Sequence, residues 1–223
     1  MYACAFLKEG EKMIYLDNAA TSYPKPKCVI NAVENALRYQ SANPGRSGHK
    51  MSMKNAEAIY RVREKVADFF GCSHPENGVF LTNCTQAINV VLKGVLSDGD
   101  HFIISNLEHN AVSRPAFCLS KINVNFSVFN AFAEDITAEL ESHITPKTKM
   151  IFCTHASNVC GKVLPIEKIG RLCKNRGLIF GVDAAQSGGV LPINMEKTGI
   201  DFLCIAAHKG LFAPMGTGIL IAN

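Results

Sequence analysis

Two apolar runs of this sequence end in residues that could form a reactive pair. The run 178–182 leads into Asp183, and the run 202–207 leads into His208 and Lys209. A carboxylate at the end of an apolar strand lies in a low-dielectric environment, where it needs a cationic partner. A lysine amine buried at such a place loses its proton more readily and becomes a nucleophile. The two runs therefore predict a carboxylate and a reactive amine at neighbouring strand ends.

This pair of groups meets the requirements of pyridoxal phosphate. The lysine would hold the aldehyde of the cofactor as a Schiff base, and the carboxylate would keep the pyridine nitrogen protonated, so that the ring accepts electrons. Each residue alone has a simpler interpretation, because Asp183 could cap a helix and Lys209 could be a solvated loop residue. His109 and Thr85, which also follow predicted strands, could be a surface loop residue and a plain helix N-cap. No single one of these residues establishes a cofactor site.

The elements that must position these groups alternate along the chain from about residue 50 onward. Hydrophobic patterning predicts strands at 78–82, 101–105, 124–129, 150–153, 178–183, 201–205 and 218–221, and helices at 50–70, 87–96, 111–121, 136–143 and 166–175. Strands that are apolar on both faces and separated by helices indicate an α/β fold with a largely parallel sheet. Ligands of such sheets bind beyond the C-terminal strand ends, which is where the polar residues of this chain fall.

Composition excludes several classes of protein. The chain has 223 residues, a net charge of +4 and 48% hydrophobic residues, which is enough to form a core and argues against disorder. No apolar stretch approaches the roughly 18 residues that span a bilayer, and the run 2–7 is too short for a signal peptide. The positive charge is mild and dispersed, which argues against nucleic acid as a partner. We expect a soluble protein that binds neither membrane nor nucleic acid.

The nine cysteines follow no regular spacing and include no C-x-x-C pair. The nearest approach to a metal pattern is Cys153-Thr154-His155, so zinc is a weak alternative. Most of the cysteines are flanked by apolar residues, which predicts small buried side chains in a reducing cytoplasm. We expect no metal.

The segment G-V-D-A-A-Q-S at 181–187, followed by His208-Lys209 and by G-T-G at 216–218, resembles the class V aminotransferase family. The resemblance is strongest to its cysteine desulfurase and selenocysteine lyase branch, and the motifs at 14–21, 43–49, 108–111 and 157–161 follow in family order. It implies the large domain of the type I pyridoxal-phosphate fold, with a mainly parallel seven-stranded sheet covered by helices on both faces. Residues 1–49 would form an N-terminal segment with an active-site loop, and residues 50–223 the cofactor-binding domain.

The resemblance also implies roles for residues around the cofactor ring. Lys209 corresponds to the Schiff-base lysine, and Asp183 to the partner of the pyridine nitrogen. His109 corresponds to the histidine that stacks on the ring and assists proton transfer, so Lys209 and His109 are the expected catalytic residues. Gln186 and Asn158 correspond to residues that hydrogen-bond near the ring hydroxyl.

Further residues correspond to the phosphate end of the cofactor site. Thr85, with Cys84 beside it, lies at a predicted helix N-terminus, where free N–H groups and the helix dipole favour an anion. His208 corresponds to another phosphate contact. Ala206 stands where the family usually has a serine or threonine, so one hydrogen bond to the phosphate is lost, at a cost of about 1.5–3 kcal/mol.

The sequence stops at Asn223, soon after Lys209, and in the family a smaller C-terminal domain follows. That domain carries the sulfur-accepting cysteine and the arginine that holds the substrate carboxylate, so we expect this chain to lack both. The resemblance implies removal of sulfur from L-cysteine to give alanine and an enzyme persulfide. It also implies a homodimer in the intact parent, a sulfur-acceptor protein and a cytoplasmic location. Two alternatives remain: another class V lyase or aminotransferase, and a non-catalytic remnant of the cofactor domain.

Overall fold

A seven-stranded sheet forms the centre of the computed structural model, which describes residues 14–45 and 48–223. The strands are β1 (Gly78–Leu81), β2 (His101–Ser105), β3 (Asn125–Phe129), β4 (Thr148–Thr154), β5 (Ile179–Asp183), β6 (Phe202–Ala206) and β7 (Gly218–Ala222). The helices are α1 (Lys27–Tyr39), α2 (Lys50–Phe70), α3 (Cys84–Val95), α4 (Asn110–Ser120), α5 (Ile136–His143), α6 (Ile166–Arg176) and the short α7 (Met195–Thr198).

The strands lie in the order β1-β7-β6-β5-β4-β2-β3. All neighbouring pairs from β6 to β3 are parallel, whereas β7 runs antiparallel to both β6 and β1. The C-terminal ends of β4, β5 and β6 therefore meet at one edge of the sheet, and β7 enters between β6 and β1 from the opposite direction.

Alternate residues of the central strands point into two separate cores. Ile103, Ile151 and Val182 belong to one cluster, which also includes residues of α5 and α6. Their chain neighbours Phe102 and Phe152 belong to a second cluster, which includes residues of α3 and α4. Both faces of the sheet are covered, as the doubly apolar strands predicted.

The strands and the five helices predicted from the sequence are confirmed, with small shifts at their ends. The sequence reading missed α1 and α7. Helix α1 has no buried residue, and Ile30, Val33 and Leu37 leave an apolar stripe exposed along it. The N-terminal run 2–7, Cys4 and Arg46 of the motif at 43–49 lie outside the described residues.

Within residues 14–45 and 48–223, the structure has no helix whose length and hydropathy would suit a transmembrane span.

Candidate active site

A cavity of about 230 Å³ opens at the C-terminal edge of the sheet. Thr154, Asp183 and Ala206 line it at the last positions of β4, β5 and β6, and the first turn of α3 closes another side. All eight residues predicted for the site line this one cavity: Cys84, Thr85, His109, Asn158, Asp183, Gln186, His208 and Lys209. The remaining lining residues are Ala20, Asn83, Ile88, Ala111, Ala156 and Ala185.

Asp183 is the buried acid of the cavity, with 2% of its surface exposed. Its Oδ1 accepts hydrogen bonds from the Ala185 amide at 2.8 Å and from the Cys84 thiol at 3.5 Å. Burial raises the pKa of this carboxyl, while the hydrogen bonds and the charges of His109 and Lys209 act against the rise. No lysine, arginine or histidine among the described residues forms a salt bridge with it. The site therefore provides a carboxylate that a cationic ligand atom would stabilise.

The first turn of α3 directs free backbone donors toward the cavity. Asn83 caps the helix, and its Oδ1 accepts the amide hydrogen of Gln86 at 2.8 Å. The amides of Cys84 and Thr85 have no protein acceptor among the described residues. Two free N–H groups at the positive end of a helix of this length are suited to bind an anion.

The close approach of β7 to this helix start depends on Gly218. A Cβ atom at Gly218 would lie 2.3 Å from the carbonyl carbon of Asn83 and 2.5 Å from its oxygen. Since these are backbone atoms, they could not move aside without shifting the N-cap. Glycine at this position thus allows the anion-binding turn to lie against the sheet.

His109 caps α4 through its ring. Its Nδ1 accepts the amide hydrogen of Ala111 at 3.0 Å, so the neutral ring carries its hydrogen on Nε2. One nitrogen is therefore committed to the helix, and the other is available to a ligand in the cavity.

His208 and Lys209 follow β6 and are joined to the N-terminal segment. The carbonyl of His208 accepts hydrogen bonds from Thr21 Oγ1 at 3.2 Å, Ser22 Oγ at 3.0 Å and Lys25 Nζ at 2.6 Å. The Nδ1 of His208 lies 3.0 Å from Thr21 Oγ1. These bonds hold residues 21–25 against the turn that carries Lys209.

Gln186 and Asn158 line the same cavity at its rim. The side-chain amide of Gln186 donates to the carbonyl of Ala19 at 3.1 Å, which is a second attachment of the N-terminal segment. His49, by contrast, does not line the cavity and instead caps α2, where its Nδ1 accepts the Ser52 amide hydrogen at 3.3 Å.

Sequence reasoning missed Glu108 as a separate buried carboxyl. Its Oε1 accepts from the Thr154 amide at 2.9 Å and from the amide and hydroxyl of Ser105, while Oε2 is buried without a partner. Burial raises the pKa of Glu108 to about 8, with Asp183 adding to the rise. The one sequence signal was its place after the strand at 101–105, beside His109.

Among the residues that the structure describes, no group of three or more His, Cys, Asp or Glu could hold a metal ion. The eight described cysteines form no disulfide. Five of them are buried as predicted (Cys72, Cys84, Cys153, Cys173 and Cys204), and Cys28, Cys118 and Cys160 are exposed.

A strand-end lysine, a buried carboxylate and a helix N-terminus with free amides surround one cavity on an α/β sheet. These features suit an anionic ligand that also carries a basic atom. The chain belongs to the class-V aminotransferase family, whose family model matches residues 14–223.

Individual relatives give the same assignment. The chain is 33% identical over 213 residues to a probable cysteine desulfurase from Methanothermobacter thermautotrophicus, covering 94% of this chain and 53% of that protein. It is 34% identical over 215 residues to a cysteine desulfurase from Proteus mirabilis, covering 93% and 52%. The solved structure of a cysteine desulfurase from Thermococcus onnurineus has a TM-score of 0.86 at 31% identity, covering 94% and 53%. The chain thus spans about half the length of the relatives it matches.

Pyridoxal phosphate is the cofactor of this family, and the cavity fits it. The free amides of Cys84 and Thr85 suit the phosphate, Asp183 suits the pyridine nitrogen and Lys209 suits the aldehyde. Asp183 forms no salt bridge among the described residues, and this favours pyridoxal phosphate over a simple anion, because a ligand with a cationic atom would stabilise the buried carboxylate.

Proposed function

We propose that this chain is the cofactor-binding part of a pyridoxal-phosphate-dependent cysteine desulfurase. The observation that carries the proposal is the convergence of Lys209, Asp183 and the first turn of α3 on one cavity. Each of the three would hold a different part of the cofactor. The membership in the class-V aminotransferase family and the names of the relatives support the same reaction.

The side chains of this chain would divide the work at that cavity. When bound, pyridoxal phosphate supplies an electron-accepting ring that stabilises negative charge developing on a substrate amino acid. Asp183 would keep the ring nitrogen protonated, and the Cys84 and Thr85 amides would bind the phosphate. Lys209 would hold the cofactor and move protons to and from the substrate. His109 would present its Nε2 hydrogen to the cavity, because Nδ1 is committed to Ala111.

The proposed substrate is L-cysteine, which reacts with an acceptor thiol to give L-alanine and a persulfide. The carbon–sulfur bond of cysteine breaks, the sulfur bonds to the acceptor sulfur, and a proton replaces it at the β-carbon. The persulfide sulfur must then leave, so we expect a sulfur-acceptor protein as a further partner in sulfur metabolism.

The proposal includes a homodimer in the cytoplasm. On helix α2, the large apolar side chains of Met53 and Tyr60 are exposed at 62% and 47%. Exposed apolar side chains that lie together are typical of a surface that another protein chain covers. The eight described cysteines are all free thiols, which is typical of a reducing compartment.

The first test is a visible absorption spectrum of the purified chain with pyridoxal phosphate. After removal of unbound cofactor, we expect a visible band for the parent chain and its loss in Lys209→Ala, because Lys209 is the one lysine among the described residues that lines the cavity. Lys168→Ala removes an exposed lysine of α6 and should keep the band. A band that survives in Lys209→Ala, or none in the parent chain, would refute the cofactor assignment.

Product analysis then tests the reaction. With L-cysteine and dithiothreitol, we expect the intact parent protein to give alanine and sulfide in equal amounts. A keto acid in place of alanine would indicate another class V lyase or aminotransferase reaction. A visible band without any product would leave a cofactor-binding domain without catalysis.

A further inference from the structure

The thiol of Cys84 contacts the buried acid of the site rather than the space expected for the phosphate. Cys84 is the first residue of α3, and its Sγ lies 3.5 Å from Asp183 Oδ1. The backbone amide of Ala185 donates to the same oxygen at 2.8 Å. One carboxylate oxygen therefore receives two protein donors.

The thiol acts as the donor in this contact. Burial raises the pKa of Cys84 well above the ordinary value, and the negative charge of Asp183 raises it further. Cys84 thus keeps its hydrogen at neutral pH, and the carboxylate oxygen accepts it. A protonated thiol that is bonded to an acid is a poor nucleophile, so this cysteine is not suited to accept sulfur.

The second carboxylate oxygen of Asp183, Oδ2, differs from Oδ1 in its hydrogen bonds. No described residue donates a hydrogen bond to Oδ2. Asp183 lines the cavity, although it is almost fully buried. Two donors on Oδ1 fix the rotation of the carboxylate and leave Oδ2 to a ligand.

We infer that Cys84 is a positioning residue, whose thiol orients Asp183 so that one oxygen remains for the ring nitrogen of the cofactor. The inference rests on the proposed function, and it assigns the side chain of Cys84 a role separate from that of its backbone amide. Without the thiol, the carboxylate would keep one donor and attract the ring proton more strongly. The positive charge on the ring would then be weaker.

Two variants test this role in the cofactor-loaded chain. Cys84→Ala removes the donor, and Cys84→Ser restores one as a hydroxyl. For Cys84→Ala we expect an affinity for pyridoxal phosphate that is weaker by about 3- to 10-fold, because the carboxylate of Asp183 is then less firmly oriented toward the ring nitrogen. The pH midpoint of the visible band should also rise, because a less positive ring favours the protonated form of the linkage to Lys209. Cys84→Ser should lie close to the parent chain in both measurements.

Cys173→Ala is the matched control, since it truncates another buried cysteine, on α6 and outside the cavity. It should lower the thermal stability without moving the pH midpoint. The inference is overturned if Cys84→Ala keeps the midpoint and affinity of the parent chain, or if Cys84→Ser behaves like Cys84→Ala.

A measurement without the cofactor separates this inference from the proposed function. Alkylation of Cys84, followed by peptide mass mapping, should become faster in Asp183→Asn at neutral pH, because the negative charge of Asp183 contributes to the raised pKa of the thiol. Equal rates in the two chains would overturn the Cys84–Asp183 pairing even if the visible band depends on Lys209. Faster alkylation without any band would support the pairing and refute the cofactor assignment.

Discussion

At the scale of single residues, Glu108 is the second acid at this edge of the sheet and differs from Asp183 in its hydrogen-bond partners. One oxygen is bonded by the Thr154 amide and by Ser105, and the other is enclosed without a partner. Its pKa is raised from 4.5 to about 8 by burial. At neutral pH the folded chain therefore holds a proton on Glu108 that the unfolded chain releases.

This difference makes the stability of the fold depend on pH. Because the folded state binds the extra proton, raising the pH from about 5 to about 8 should lower the free energy of unfolding, by up to about 4 kcal/mol. Glu108→Gln mimics the protonated acid and should flatten this dependence. Urea unfolding across that pH range measures it.

Glu64→Gln provides the control, because Glu64 is exposed on α2. Its unfolding curves should keep the pH dependence of the parent chain. If the free energy of unfolding of Glu108→Gln depended on pH as it does in the parent chain, Glu108 would be ionised in the folded protein.

The sequence could predict which residues meet at the site, because each of them follows a strand that the apolar pattern identified. It could not predict their mutual contacts. The Cys84–Asp183 bond joins residues 99 positions apart, and the bonds to the His208 carbonyl span up to 187. Such contacts depend on strand order, which local patterning does not determine.

At the scale of elements, the start of α3 and the start of β7 share one crowded contact. Gly218→Ala would place a methyl group against the backbone of Asn83 and force β7 and the helix N-cap apart. We expect a loss of stability of about 1–3 kcal/mol, which is typical of overpacking, together with weaker binding of pyridoxal phosphate. Thermal unfolding and a cofactor titration measure the two effects.

Gly94→Ala is a control for which we expect the opposite change in stability. Gly94 lies within α3, and a Cβ there would meet nothing within 4 Å. Alanine should therefore stabilise the helix by about 0.5–1 kcal/mol and leave cofactor binding unchanged. A Gly218→Ala chain with parental stability and affinity would show that the contact can relax at no cost.

The elements themselves were predictable to different degrees. Apolar runs located all seven strands, but they did not reveal the reversed direction of β7. The segment 207–217 between β6 and β7 contains no helix, and its brevity argues against a parallel crossover. Helix α1 was missed although Ile30, Val33 and Leu37 have helical spacing, because its apolar side is exposed and its sequence is otherwise polar.

At the scale of the whole molecule, exposed apolar side chains on α2 predict self-association. Met53 and Tyr60 are seven residues apart and thus lie on one face of the helix. We expect a mass above that of the single 24.2 kDa chain by sedimentation or light scattering. The double substitution Met53→Glu/Tyr60→Glu should shift the protein toward the monomer.

Val128→Glu is a suitable control, since Val128 is similarly exposed at 46% but lies on the edge strand β3. It should leave the mass unchanged. A parent chain that remains monomeric at tens of micromolar would contradict the homodimer for this chain.

The attachment of residues 21–25 to the His208 carbonyl also has a consequence for biosynthesis. Thr21 leaves the ribosome before its partner, which is made 187 positions later. At about 5–20 residues per second, the early segment waits roughly 10 to 40 s for that partner. Strand β1 likewise waits for β7. A nascent chain stalled before residue 208 should therefore expose its N-terminal segment to protease, and the completed chain should protect it.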